Sequence, residues 1–368
     1  MKEFESAYKG KKIIVTGHTG FKGSWLSLWL HQLGATVLGI SNKKVSSPSN
    51  YETSKLDQII ETEWLDVSNT DLLIHKITNF SPDYVFHLAA QPIVYTAYEN
   101  PIETYRTNSL GTANIMESLR FIDKRVIGVI ITSDKVYDNL EWSWGYREYD
   151  KIGGKDPYSA SKGMAELAIR SYVESFFRDN DTNKIIGIAR AGNVIGGGDW
   201  AENRIIPDCI KAWSNNEVVK VRNPNSTRPW QHVLEPLSGY LCLGSYLSKL
   251  NKQDGSAYNF GPKKDQDRSV SDLINEMEIY WDKVKWKIDD SNKKNIFKEA
   301  KLLKLDCEKS LDTFNWQPIL SFAETVKLTA EWYRMYYENN NESTFDFSVQ
   351  QLKYYSDTAK SRGLKWAQ

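Results

Sequence analysis

The run Lys12-Ile13-Ile14-Val15-Thr16-Gly17-His18-Thr19-Gly20-Phe21-Lys22-Gly23 sets a short apolar segment directly before three glycines spaced GxxGxxG. Consecutive Ile and Val suit a strand buried on both faces. Where such a strand turns into a helix, the first-turn amides lack partners and the helix dipole favours an anion. Glycines that let phosphate approach them make a pyrophosphate cradle. The spacing departs from the GxGxxG of the general dinucleotide fingerprint. Position therefore carries the reading, after the first apolar run and before a helical pattern over 22–33, with a tight structural turn as the alternative.

Outward from this run, Val- and Ile-rich segments alternate with longer amphipathic ones, the pattern of parallel strands joined by crossover helices. Strands are expected at 12–16, 36–40, 83–88, 126–132 and 185–190, with a further short one at 62–65. Helices are expected at 22–33, 101–122 and 157–177. The fold class is α/β: a doubly wound parallel (Rossmann) sheet with a smaller, mixed α/β substrate-binding domain. The alternation decays at Ile195-Gly196-Gly197-Gly198-Asp199. Residues 1–191 and about 232–265 are assigned to the dinucleotide-binding domain, 192–231 and about 266–340 to the second, and 341–368 to a polar tail of low periodicity.

A chain of 368 residues exceeds what one core usually serves. Lysine plus arginine balance aspartate plus glutamate at 47 each, so nothing points to nucleic acid or an anionic membrane. Cys209, Cys242 and Cys307 are isolated and never form CxxC, which suits core thiols in a reducing compartment. Residues 1–12 are too polar for a secretory segment and no apolar run approaches membrane-spanning length, so a cytoplasmic protein is expected. The histidines form no HxxxH or HExxH pair, and no metal is expected. Glycosylation-like triplets at Asn180, Asn225 and Asn341 then read as chance.

The dinucleotide fingerprint places an acid about 20 residues on, at the end of the second strand. Here the segment reads Ser41-Asn42-Lys43-Lys44, whose lysines could face solvent or meet a 2′-phosphate, so NAD and NADP both stay open. Asp66-Val67 stands where adenine could be bracketed, or where Asp66 caps a helix.

Tyr158 and Lys162 are four apart on a helix announced by Asp156 as cap and Pro157 in its first turn. A neighbouring ammonium favours the phenolate, a base able to take a proton from a sugar hydroxyl. Tyr8 with Lys12 and Tyr51 with Lys55 share the interval, so context must choose. Tyr158 follows the apolar run that ends in Thr132-Ser133-Asp134-Lys135, and ligands of doubly wound sheets gather beyond the carboxyl ends of strands. A surface turn carrying an Asp–Lys pair is the alternative.

Taken together, 17–23, 132–135 and 158–162 resemble the extended short-chain dehydrogenase family, and the similarity extends from about residue 11 to about 336. Within it the chain is most similar to the sugar-nucleotide 4,6-dehydratases, and to the branch acting on CDP-glucose, through 18–26, His87-Leu88-Ala89-Ala90-Gln91-Pro92, Trp144-Gly145-Tyr146-Arg147-Glu148, 228–237 and Phe314-Asn315-Trp316-Gln317-Pro318. The resemblance implies NAD held by Gly17, Thr19, Gly20, Phe21, Lys22, Gly23, Asn42, Asp66, Val67, Leu88, Ala89, Ala90, Asn108, Thr132, Tyr158 and Lys162. It implies that Tyr158, with Lys162 and Ser133, deprotonates the 4-hydroxyl, Asp134 is the acid for the departing 6-hydroxyl, and Lys135 is the base at C5. Related dehydratases commonly have Glu at the last position. As a base Lys135 must shed its proton, which burial and the charges of Lys162 and nicotinamide would assist. Alternatively it stays charged and holds an anion.

By the same resemblance Gln91 faces the hexose, while Asn193, Arg228 and Arg204 contact the diphosphate; Trp230 and His232 could equally be packing residues. The helices over 101–122 and 157–177 are expected to build a homodimer or homotetramer. Rival readings are a dehydratase of a GDP-linked sugar, a sugar-nucleotide 4-epimerase, or a non-catalytic dinucleotide sensor.

Overall fold

The computed structural model describes residues 2–178, 183–263, 267–289, 302–339 and 342–368; Asn180, Asn341 and the expected domain limits near 265 and 340 lie outside them. Seven parallel strands form the main sheet: β1 Lys12–Thr16, β2 Thr36–Ser41, β3 Glu61–Trp64, β4 Tyr84–His87, β5 Val126–Ile131, β6 Lys184–Ala191 and β7 Ala257–Phe260. Their order is β7-β6-β5-β4-β1-β2-β3, so the direction of winding reverses between β1 and β4. In α/β sheets such a switch point marks the crevice, beyond the strand ends, where ligands bind. Every residue of β5 and β6 is buried, as expected of central strands covered on both faces.

Helix Phe21–Gln32 departs from the amphipathic expectation, because nine of its twelve residues are buried. One side lies on the sheet and the other is covered by both chain termini. Phe4 stacks on Trp366 with ring centroids 4.8 Å apart, and Trp29 meets Tyr355 edge-on at 5.9 Å. The stretch read as a polar tail forms the helix Thr344–Ser361, whose Leu352, Tyr355 and Ala359 recur at helical spacing and are buried. Phe345, Phe347 and Val349 pack partly buried beside them, and Gln351 donates to the Leu328 carbonyl at 2.8 Å, so the helix docks on Phe322–Glu338 as well as on Phe21–Gln32.

The segment expected as one helix over 101–122 contains a π turn at Arg106–Leu110 between Pro101–Tyr105 and Gly111–Arg120. Helix Pro157–Tyr172 opens as expected, with the Asp156 carboxylate accepting from Ser159 N–H at 3.0 Å and Pro157 in the first turn. Three two-stranded ladders build the second part: Val194–Ile195 with Gln231–His232, Thr227–Pro229 with Asp267–Ser269, and Val219–Val221 with Trp286–Ile288. Helices Ile205–Ser214, Val270–Glu278 and Phe322–Glu338 pack with them. None of the described helices is long and apolar enough to cross a membrane.

Candidate active site

Gly17 has φ +73°, and a methyl group there would sit 2.7 Å from the Ala89 nitrogen. A methyl at Gly23 would sit 2.1 Å from the Gly17 carbonyl oxygen, so the turn closes onto the helix only with glycine. Gly20 caps the helix without any side-chain hydrogen bond, which leaves the first-turn amides facing the crevice. The cradle is anchored from below: Thr16 Oγ1 lies 2.7 Å from His87 Nδ1 and accepts from Ala89 N–H at 3.1 Å. Thr19 Oγ1 donates to the Lys43 carbonyl at 2.8 Å. Leu88, Ala89 and Ala90 line the crevice half-buried at the end of β4.

At the β2 end, Asn42 donates to Asp66 at 2.8 Å, and Ser68 N–H donates to the same carboxylate at 2.8 Å. Burial pushes the Asp66 carboxyl up, but these hydrogen bonds outweigh it and hold the group below its ordinary range. Asp66 is not the cap of the next helix, a role taken by Asn69. The Val67 carbonyl accepts from Asn114 and its side chain packs against Gly111. Lys44 is ion-paired with Glu52 at 2.8 Å, while Lys43 is exposed and has no side-chain partner among the described residues.

Beyond β5 the chain turns through Asp134–Val136, with Ser133 Oγ accepting from Lys135 N–H at 3.2 Å and donating to Asp134 Oδ1 at 3.0 Å. The Lys135 ammonium lies 3.2 Å from the same carboxylate oxygen and 3.3 Å from Asn193 Oδ1. Ser133 also hydrogen-bonds the Tyr158 hydroxyl. Asp134, Tyr158 and Lys162 are all under a tenth exposed. Hydrogen bonds thus link Ser133, Asp134, Lys135 and Asn193 in one chain, with the Tyr158 hydroxyl beside Ser133. Tyr8 with Lys12 and Tyr51 with Lys55 lie apart, since Tyr8 donates to the Leu241 carbonyl and Lys55 has a left-handed backbone.

The charges around the reaction centre are set as follows. Burial raises the Tyr158 phenol, and the cation that leads in pulling it back is Lys135, with Ser133 and Arg204 assisting; Lys162 is not among the leading influences. Lys135 is not driven to its neutral form. Burial pulls it down, but the charges of Asp134 and Tyr158 outweigh burial and raise it. The depressed amines are Lys162 and Lys22. Burial brings Lys162 to about 8, with Glu166 opposing, and Lys22 to about 7, with Asp134 opposing and Arg204, Lys135 and Lys162 assisting. Lys22 Nζ reaches the Gly192 carbonyl at 3.5 Å, on the side of Asp134, Lys135 and Lys162. The Lys162 ammonium takes no hydrogen-bond acceptor among the described residues, a donor available to a bound group.

Asn108 is buried, exchanging hydrogen bonds with the Gln91 backbone at 2.8 and 3.1 Å and donating to Ser161 Oγ at 2.9 Å. It ties the π turn to the Tyr158 helix. The Gln91 side chain is turned back, its amide donating to Thr104 at 2.9 Å and its oxygen accepting from Ile93 N–H at 2.6 Å. Arg204 pairs with Asp199 at 2.8 Å while its charge still reaches Tyr158 and Lys22. Arg228 acts on Lys135 from the ladder Thr227–Pro229. Trp230 and His232 are buried packing residues, Trp230 donating to the Arg268 carbonyl at 2.9 Å. Sequence reading missed Glu166 and Arg190, although a glutamate four residues after Lys162 and an arginine inside an apolar strand were visible signals.

The family model for GDP-mannose 4,6 dehydratase matches residues 14–329. CDP-glucose 4,6-dehydratase of Salmonella typhimurium is 44% identical over 331 residues, covering 89% of this chain and 91% of that protein. Among solved structures, dTDP-glucose 4,6-dehydratase from Streptomyces venezuelae with NAD bound aligns with TM-score 0.71 at 20% identity, covering 89% of this chain and 99% of that one. UDP-glucose-4-epimerase from Stenotrophomonas maltophila with NAD bound aligns with TM-score 0.75 at 18% identity, covering 89% and 98%. At such identities the structures speak for the fold. The family model and the 44% relative, each spanning most of the sequence, establish that the chain belongs to the GDP-mannose 4,6 dehydratase family of extended short-chain dehydrogenases.

Proposed function

We propose that this protein is an NAD-dependent sugar-nucleotide 4,6-dehydratase whose substrate is CDP-glucose and whose product is CDP-4-keto-6-deoxyglucose. The observation that carries the reading is the contact between Asp134 and Lys135 beside Tyr158, because it joins an acid and a base for elimination to a base for oxidation. The substrate follows from the 44% relative.

The glycine turn, the uncapped first helical turn and the Lys162 ammonium, without an acceptor among the described residues, fit a dinucleotide. When bound, NAD supplies an acceptor for the C4 hydride and later its donor to C6. Tyr158 takes the 4-hydroxyl proton as that hydride leaves, with Ser133 steering the phenolic oxygen. The resulting 4-keto group acidifies the C5 proton. One proton moved from Lys135 Nζ to Asp134 Oδ1, 3.2 Å away, creates an amine base and a carboxylic acid together. Uptake of a proton by Tyr158 assists, since its phenolate charge is one of the influences holding the proton on Lys135. Lys135 then takes the C5 proton, and Asp134 protonates the 6-hydroxyl, which departs as water. Lys135 returns its proton to C5, and passage of the proton held by Tyr158 to Lys135 restores the resting charges of both side chains.

Arg204, Arg228 and Asn193 are assigned to the sugar-nucleotide diphosphate, since guanidinium forks suit paired phosphate oxygens. Residues 192–231 and about 266–340 are assigned to the sugar-nucleotide side and 1–191 with about 232–265 to the dinucleotide side. A 4-epimerase would need Tyr158 and Lys162 but not the Asp134–Lys135 pair. The exposed Ile102, Leu110, Met164 and Leu167 on the helices of 101–120 and 157–172 support a homodimer or larger assembly. Free cysteines suit a cytoplasmic setting. Incubation with CDP-, dTDP-, UDP- and GDP-hexoses, with and without added NAD, tests the reading. A 4-keto-6-deoxy product from CDP-glucose supports it, and an isomeric hexose with no loss of water overturns it.

A further inference from the structure

Beneath the strand ends that carry the reaction centre lies a charged pair with no exposed atoms on either side chain, Arg190 on β6 and Glu166 on the Tyr158 helix. Arg190 Nε donates to Glu166 Oε1 at 2.7 Å and its Nη2 donates to Oε2, a bidentate contact. The same Oε1 accepts from the Thr132 hydroxyl at 2.8 Å, at the residue immediately before Ser133-Asp134-Lys135. The other guanidinium nitrogen donates to Tyr137 Oη at 2.8 Å and to the Glu148 carbonyl at 3.1 Å. Tyr137 passes the chain on to Asn259 at 2.8 Å, and Glu148 accepts from Asn259 N–H at 2.8 Å. Glu166 thus holds the front of the catalytic turn while Arg190 holds its far side.

A buried ion pair is a poor stabiliser, because desolvating two charges offsets their attraction and well-packed apolar residues often do as well. Arg190 sits among Ile188, Ala189 and Ala191, where apolar packing was at hand. Its arrangement makes sense if it serves position and charge. Glu166 is one turn beyond Lys162 on the same helix and is the anion that opposes burial there. Lys162 in turn acts on His87 of β4 and on Lys22 of Phe21–Gln32, Tyr158 lies one turn before it, and a second cation, Arg170, lies 3.8 Å from Glu166 Oε2 at the surface side of the same helix.

We propose that the Glu166–Arg190 pair is a positioning device of the reaction centre: it fixes the turn Thr132–Lys135 through the Thr132 hydroxyl and presents Lys162 with a carboxylate whose charge is shared with a guanidinium. With no exposed atom on either side chain, the pair acts through Thr132, Tyr137 and Lys162. This inference builds on the dehydratase reading for its kinetic test, whereas its titration test needs no substrate.

The test compares wild type with Glu166→Gln, Arg190→Met, the double variant and Thr132→Val. In the substrate-free protein, acylation of Lys162 is followed against pH by mass spectrometry of its peptide. Glu166→Gln should move the midpoint down by at least about half a pH unit and Arg190→Met should move it up, with the double variant between them. Thr132→Val should lower kcat on CDP-glucose about tenfold with KM unchanged. A midpoint that stays fixed in Glu166→Gln, or moves the same way in both single variants, overturns the charge role; unchanged kcat in Thr132→Val overturns the positioning role. If Arg190→Met fails to fold, the Glu166→Gln midpoint and the Thr132→Val rate still decide. If wild type leaves CDP-glucose untouched, the substrate reading fails while the titration still judges this one.

Discussion

The Lys135 ammonium and the Asp134 carboxylate lie 3.2 Å apart in the turn after β5, and the same carboxylate accepts from Ser133. This contact keeps the lysine protonated at rest and gives its proton somewhere to go during elimination. Lys135→Met should therefore leave C4 oxidation partly intact while the 4-keto-6-deoxy product falls by about 100-fold or more. Reduced nicotinamide absorbance without alkaline product absorbance is the expected signature, and wild-type product formation would remove Lys135 from the mechanism.

Tyr158 is buried, hydrogen-bonded to Ser133 and pulled toward its charged form first by Lys135. Tyr158→Phe keeps the ring and removes the proton acceptor, so single-turnover hydride transfer should drop roughly 10²–10⁴-fold. Because Lys135 leads that influence, Lys135→Met should also shift the alkaline-activating limb of hydride transfer to higher pH, which stopped-flow measurements across pH would read.

Gly17 combines φ +73° with a Cβ position 2.7 Å from the Ala89 backbone. Gly17→Ala should destabilise the protein by about 1–3 kcal/mol and weaken NAD binding, read as a lower melting temperature and loss of the further rise on adding NAD. A full NAD-dependent rise would show that the turn is not the cradle.

Glu235 is buried, accepts from Ile319 and Leu320 N–H at 2.8 and 2.6 Å, and meets Tyr355 of the C-terminal helix at 2.7 Å. Burial raises it to about 7 from an ordinary 4.5, against the pull of these hydrogen bonds. The folded state then keeps a proton that the unfolded chain releases. Its contribution is complete below about pH 4.5 and is lost as pH rises through about 7, on the order of 3 kcal/mol. Urea unfolding at about pH 5 and about pH 8 should show this loss in wild type and not in Glu235→Gln; equal slopes would overturn it.

Leu167 is 59% exposed and Ile102 is 68% exposed on the two helices expected to pair between copies. Leu167→Glu and Ile102→Glu together should convert an assembly into monomers in light scattering, with circular dichroism unchanged. A monomeric wild type would contradict the assembly directly.

Much of the fold is legible locally. The apolar runs of β1, β2, β5 and β6 and the cap at Asp156 announce themselves because strand and helix periodicity act over neighbouring residues. The helices Lys2–Tyr8 and Thr344–Ser361 were not legible, since Phe4 and Tyr355 meet Trp29 while Tyr8 packs on Tyr84 and Phe86, all partners remote in sequence. The candidate site shows the same division. Tyr158 and Lys162 could be chosen from three equal intervals by context, but Gln91 turned inward and Lys22 turned toward the reaction centre.

What the sequence alone determined was which side chains the chemistry has at its disposal and which strand ends they follow, because strand position and helix spacing are read from short-range pattern. What the tertiary structure decided was their charge. Lys135 is held protonated and Lys162 depressed because desolvation and Coulomb interactions depend on distances between Asp134, Tyr158 and Glu166 that are far from fully written in the order of residues along the chain.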